Sequence, residues 1–243
     1  VLAELCRRGF FGVHTDHLPR IEPPHRDGRY DDDAPRIARA RRIWDATLPA
    51  AGSPVTHYLA GRGIVLERWP TSLRWHPRCP RPHGEPMPAM VALVEHVARG
   101  IVGIHRTYLT PEHQRLDRAT LGAIGGGAVR LGLPRTDGWL AIGEGIETTL
   151  AVVTACAMPG WAALSAGGIR ALILPPEATH VLICADHDAS GTGARAAHDA
   201  AARWLAEGRR VRIAMPVAPD TDMADALIAA ESTAEMMEMR RVA

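Results

Sequence analysis

Two short apolar runs, each closed by acids and glycine, constrain this chain most. They are Trp139-Leu-Ala-Ile-Gly-Glu-Gly-Ile-Glu-Thr-Thr-Leu-Ala-Val-Val153 and, about forty residues later, Val181-Leu-Ile-Cys-Ala-Asp-His-Asp-Ala-Ser-Gly-Thr-Gly193. Each reads as a buried strand that delivers carboxylates to its carboxyl end before a helix begins. Glu144, Asp186 and Asp188 are then expected to converge. Hard oxygen donors at adjacent strand ends of a parallel sheet suit Mg²⁺ (or Mn²⁺), which keeps several waters and bridges to phosphate. That combination predicts phosphoryl chemistry on nucleotides or nucleic acid. The plainer reading of Asp186-His187-Asp188 is a helix cap with a solvated neighbour, because Asp at a helix start bonds orphan amides. His187, between the two acids, points to the other side of the strand and is read as structural or incidental.

The order of these parts resembles the Toprim domain shared by bacterial primases, topoisomerases and some nucleases. The resemblance rests on Glu144-Gly145, on Asp186-His187-Asp188, and on Trp161-Ala-Ala-Leu-Ser-Ala-Gly-Gly168, which looks like the family's second strand and glycine turn. It continues through the strand Arg210-Val-Arg-Ile-Ala-Met215 and the acidic segment Asp220-Thr-Asp-Met-Ala-Asp225. The resemblance implies Glu144, Asp186 and Asp188 as catalytic metal ligands, with Asp222 and Asp225 as further ligands. Glu147 adds a carboxylate in the first turn of the helix that follows. Gly145 and Gly191 open the helices after the two runs, where free amides can approach a nucleotide phosphate.

Upstream, Ile37 to Thr47 has helical spacing with arginines on its other face. Pro54-Val-Thr-His-Tyr-Leu-Ala-Gly-Arg-Gly-Ile64 reads as a short helix stopped by glycine and resembles the Tyr-Leu-x-x-Arg-Gly-Ile element ahead of primase Toprim domains. Strands are expected at Ser72 to His76, Ala89 to His96, Gly100 to Leu109 and Ala128 to Leu131. Gly125-Gly-Gly127 is a tight turn rather than a phosphate loop, since no Lys-Ser or Lys-Thr follows. Arg106, Arg115, Arg118 and Arg130 are candidate contacts to nucleic-acid or nucleotide phosphates, all four weighed against a solvated loop around Thr110-Pro-Glu-His113.

Lysine is absent, so all 28 basic side chains are arginine and any phosphate recognition falls to the guanidinium fork. The net charge of +1 removes the whole-chain signature of a nucleic-acid binder and leaves room only for a local basic face. Cys6, Cys79, Cys156 and Cys184 have neither zinc-site nor disulfide-framework spacing, so no zinc is expected in this chain and a reducing cytoplasmic setting is. No apolar stretch approaches the roughly eighteen residues of a membrane span, which predicts no membrane partner.

The expectation is therefore a mixed α/β protein. Residues 1–35 are read as a remnant helix (Val1 to Phe10) and a linker, resembling the helix that trails a zinc ribbon in phage and plasmid primases, without the ribbon. Residues 36–135 are read as a smaller α+β subdomain, 136–232 as a Toprim domain with a mainly parallel sheet flanked by helices, and 233–243 as a tail. The implied function is that of a mobile-element primase, making short RNA on a single-stranded DNA template from nucleoside triphosphates, with any helicase on a separate chain. A Mg²⁺-dependent Toprim nuclease, or a catalytically idle DNA-binding accessory, are the alternatives.

Overall fold

A computed structural model describes residues 11–14, 33–187, 190–217 and 225. The expected helix at residues 1–10, the linker from residue 15 to 32, and the tail at 233–243 lie outside the described residues.

The first described element is strand β1 (Phe11–His14), followed by helix α1 (Ala34–Asp45), strand β2 (Leu48–Pro49) and helix α2 (Pro54–Ala60). Four strands follow as β3 (Leu73–Cys79), β4 (Met87–His96), β5 (Gly100–Leu109) and β6 (Arg115–Gly122), and a short β7 spans Ala128–Arg130. The remainder alternates: β8 (Trp139–Gly143), α3 (Ile146–Cys156), β9 (Gly160–Ala162), α4 (Ala166–Ala171), β10 (His180–Cys184), α5 (Thr192–Ala206) and β11 (Arg210–Pro216).

One sheet carries all of these strands, in the order β1-β11-β10-β8-β9-β7-β4-β3-β2, with β5 on the other edge of β4 and β6 beyond it. Strands β11, β10, β8 and β9 run parallel, as alternating strands and helices require. The amino-terminal strands are antiparallel neighbours joined by short turns. Strand β7 links the two regions, pairing with Val94 and Glu95 of β4 on one side and with Trp161 and Ala162 of β9 on the other.

Strands β8, β9 and β10 are buried on both faces, which is why their sequences are continuous apolar runs, whereas β11 begins with exposed Arg210 and Arg212. Leu140 and Ile142 of β8 face α4 and α5, where Ile169, Ala197, Ala201 and Trp204 pack. Ala141, between them, faces α3 and joins Ile146 and Leu150 in a core that continues to Tyr58 and Leu59 of α2. The two regions thus share one core as well as one sheet. Helix α1 covers the opposite face of the amino-terminal strands, with Ala40, Ile43 and Trp44 against Val91, Ile104 and Tyr108.

Besides the two-residue β2, two longer strands depart from the sequence reading. Phe11–His14, inside the expected linker, pairs antiparallel with β11 from Phe11↔Pro216 to His14↔Ile213. Four residues are too few to show a periodic pattern, and the pairing is made by backbone groups. Arg115–Gly122, weighed as a solvated loop, pairs with β5 along its length. Its first four residues are exposed, so it lies at the sheet's edge with charges in place of an apolar stripe.

Gly143 lets α3 sit close on β8. A Cβ there would fall 2.3 Å from Thr149 Oγ1, a hydroxyl that donates to the Gly145 carbonyl at 2.6 Å. Gly143→Ala is therefore expected to cost about 1–3 kcal/mol through overpacking, read by urea unfolding. Unchanged stability would show that the helix can shift freely. Among the described residues, no helix is long and apolar enough to cross a membrane.

Candidate functional site

The acids of the two runs stand at neighbouring strand ends. Strands β8 and β10 are in parallel register from His180↔Trp139 to Cys184↔Gly143. Glu144 comes immediately after β8 and Asp186 two residues after the end of β10, so both leave the sheet at its carboxyl edge. Both are half-buried. The Glu144 carbonyl accepts from Leu164 N–H at 2.7 Å, which ties this turn to the chain leaving β9. His187, between the acids of the motif, is engaged through Nδ1 with the Pro216 carbonyl at 3.0 Å, a structural contact to β11.

Helices α3 and α5 begin at the same edge. Gly145 caps α3 with extended backbone and Gly191 caps α5 at φ 63°, neither offering a side chain to the first amides. At α3 a cap without a side chain leaves the positive end of the helix dipole open to an anion, whereas at α5 the Thr192 N–H donates to Ser190 Oγ at 3.2 Å. Asp188 and Asp222 lie outside the described residues, and Asp225 is exposed. Among the described residues, no three Asp, Glu, His or Cys side chains form a group able to hold a metal.

A second set of side chains comes to the first turn of α3 from the amino-terminal strands. The Tyr58 hydroxyl of α2 donates to Glu147 Oε1. Burial, and then the Glu147 charge, hold the Tyr58 phenol well above its ordinary pKa, while Arg115 and Arg62 act in the other direction. His105 is 8% exposed, and its Nδ1 has no hydrogen-bond partner among the described residues. Burial pushes its imidazole down to about 4; Glu147 opposes that shift, while Arg118, Arg106 and Arg115 reinforce it.

Register explains why these groups meet. Directly opposed residues of an antiparallel pair share a face, and β5 and β6 place Thr107 opposite Arg118, His105 opposite Thr120, and Leu109 opposite Arg115. The hairpin tip also reaches α2, where His113 stacks on His57 with ring centroids 5.0 Å apart. Arg115 and Arg118 are exposed on this face. Tyr58, His105 and their relation to Glu147 were missed in the sequence; the Tyr-Leu-x-x-Arg-Gly-Ile element was the only signal that marked any of them.

The other two candidate arginines lie elsewhere. Arg106 is 3% exposed and donates to the Pro80 carbonyl at 2.8 Å and the Thr120 carbonyl at 3.3 Å. It follows His105 by one residue and so takes the opposite face, beside Tyr108. In this position its guanidinium braces the sheet from within. Arg130 lies 4.7 Å over the Trp161 ring, its Nε 4.0 Å from Glu95, and with Ser72, Leu93 and Leu131 it lines a cavity of about 250 Å³. Because β7 runs antiparallel to β9, this cavity lies away from the carboxyl edge that holds Glu144.

Residues 139–232 match the Toprim domain family, and residues 34–131 match a domain of unknown function, DUF7146. The chain thus carries a Toprim domain at its carboxyl-terminal side, and its overall fold is primase-like. It is similar to the zinc-binding and RNA polymerase domains of Aquifex aeolicus primase, at 14% identity and a TM-score of 0.51, over 86% of this chain and 61% of that one. The primase fragment of the bacteriophage T7 primase-helicase protein is also similar, at 17% identity and a TM-score of 0.47, over 74% of this chain and 67% of that one. So is a DNA primase domain from Pseudomonas aeruginosa, at 16% identity and a TM-score of 0.46, over 81% and 74%. At these identities the likeness is one of fold. No curated protein matches the chain in a sequence search.

Proposed function

We propose that this protein is a primase-type nucleotidyltransferase that joins ribonucleotides into short RNA on a single-stranded DNA template. The observation that carries the reading is the placing of Glu144 and Asp186 at adjacent ends of parallel strands in a Toprim domain, with Arg115 and Arg118 exposed on β6 beside β5. Half-buried carboxylates at such an edge are hard oxygen donors that fit Mg²⁺ or Mn²⁺, and Asp188, Asp222 and Asp225 are proposed to complete the set. A divalent ion held by these carboxylates would supply charge neutralisation of the triphosphate and a lowered pKa of the attacking hydroxyl. The helix starts at Gly145 and Gly191 are proposed to face phosphate oxygens at the same edge. Arg115 and Arg118 bind the backbone of the template or the triphosphate tail and hold it in line. A helicase is a further proposed partner, and the proposed setting is cytoplasmic.

The template side of this reading has a direct test. Binding of an oligodeoxythymidylate is expected to weaken steeply with salt. The Arg115→Ala/Arg118→Ala pair is expected to reduce the log–log slope by roughly 1.4, about 0.7 for each single-strand phosphate that an arginine no longer neutralises. A slope equal to that of the unaltered protein would remove these arginines from the interface. A nuclease would use the same donors with water as nucleophile, and products of cleavage would mark that outcome.

A further inference from the structure

Tyr58 and Glu147 are 89 residues apart in sequence, yet the phenol of one donates to the carboxylate of the other. The tyrosine is 4% exposed, its ring set in the core with Val55, Leu59 and Leu109, so that the hydroxyl is the part that reaches α3. The carboxylate it holds stands among cations. Arg115 and Arg62 act to lower the pKa of the Tyr58 hydroxyl, and at His105 the charge of Glu147 opposes those of Arg118 and Arg115. A carboxylate in such company ordinarily closes onto a guanidinium, because charge-assisted forks are strong. Glu147 makes no ion pair with Arg115 or Arg118 among the described residues.

We infer that Tyr58 is a positioning residue whose hydroxyl holds the Glu147 carboxylate back from Arg115 and Arg118, keeping both guanidinium groups available to the phosphate oxygens of a bound polyphosphate or nucleic-acid strand. The inference rests on the reading of those arginines as phosphate contacts. It also gives the shared core between α2 and α3 a functional consequence, since the spacing of the two elements sets where the carboxylate lies. Without the phenol, Glu147 turns to the nearest arginine and competes with the ligand.

Tyr58→Phe removes the donor and keeps the ring in the core. Isothermal titration with inorganic tripolyphosphate is expected to show affinity roughly tenfold weaker in Tyr58→Phe, the cost of one competing charged pair. Tyr58→Phe/Glu147→Gln is expected to recover the affinity, since the released side chain is then neutral. Glu147→Gln alone is expected to bind at least as tightly as the unaltered protein, and it reads the same interaction if Tyr58→Phe does not fold. Equal affinity in Tyr58→Phe, no recovery in the double variant, weaker binding in Glu147→Gln, or no tripolyphosphate binding by the unaltered protein each overturn the inference. An oligodeoxythymidylate titrated in parallel separates the sources. A matching pattern with the oligomer assigns the arginines to the strand. Tripolyphosphate binding without oligomer binding removes the template reading, leaves the role of Tyr58 standing, and assigns them to a triphosphate tail.

Discussion

Glu144→Gln with Asp186→Asn is expected to lower templated oligonucleotide synthesis at least 100-fold, on the order of 3 kcal/mol in the barrier, while the protein stays folded. The two carboxylates lie one and two residues past paired strand ends, so neither holds the sheet together. Neutral isosteres keep their shape and remove the charge that a hard cation needs. The same double variant has a readout that does not depend on turnover. Mg²⁺ or Mn²⁺ that binds the folded state raises the melting temperature by mass action, and this gain is expected to disappear in the variant. A melting shift of unchanged size would move the metal away from Glu144 and Asp186.

His105 gives the second large effect, on stability rather than activity. Its imidazole, ordinarily near 6.5, is pushed down to about 4 by burial. Below the ordinary value the unfolded chain takes up a proton that the folded chain refuses, so stability present above about 6.5 is lost as the pH falls towards about 4. A shift of that size corresponds to roughly 3 kcal/mol over the window. His105→Gln cannot take up the proton, so urea unfolding across this range is expected to show a pH dependence flatter by about that amount. Parallel curves for the two proteins would mean that His105 protonates in the folded state without cost. Carboxylates also titrate near the acid end, and the difference between the two curves removes their contribution.

The parallel half of the fold was legible because burial on both faces leaves an unmistakable run of apolar residues. Leu140 to Gly143 and Val181 to Cys184 are buried throughout, and each run is followed by the glycine that opens the next helix. Helix α2 could be read for a similar local reason, with Ser53 accepting from Val55 N–H at its start and Gly61 at its end. Strand β6 was hidden because an edge strand with exposed Arg115, Leu116, Asp117 and Arg118 has the composition of a loop. Its strand character comes from its partner β5, not from its own residues.

The site divides in the same way. Glu144 and Asp186 could be placed because a strand end is a local feature. Arg106 and Arg118 look alike in sequence, but alternation along β5 sends Arg106 into the core, while Arg118 lies across from Thr107 on the other face. Which face is free depends on where α1 packs, and no local pattern contains that. The Tyr58 to Glu147 contact joins segments 89 residues apart and arises only when the sheet brings α2 beside α3. Asp188 and Asp222 lie outside the described residues, so their part in the site remains a proposal.

Incubation of the full chain with labelled ribonucleoside triphosphates, single-stranded DNA and Mg²⁺ or Mn²⁺, with the integrity of the DNA followed in the same tube, tests the central claim most directly. Short labelled RNA is expected that requires the template, is lost in Glu144→Gln/Asp186→Asn, and forms while the DNA stays intact. Metal-dependent cutting of the DNA with no RNA made, abolished by the same two substitutions, would contradict it and assign the carboxylates to a nuclease.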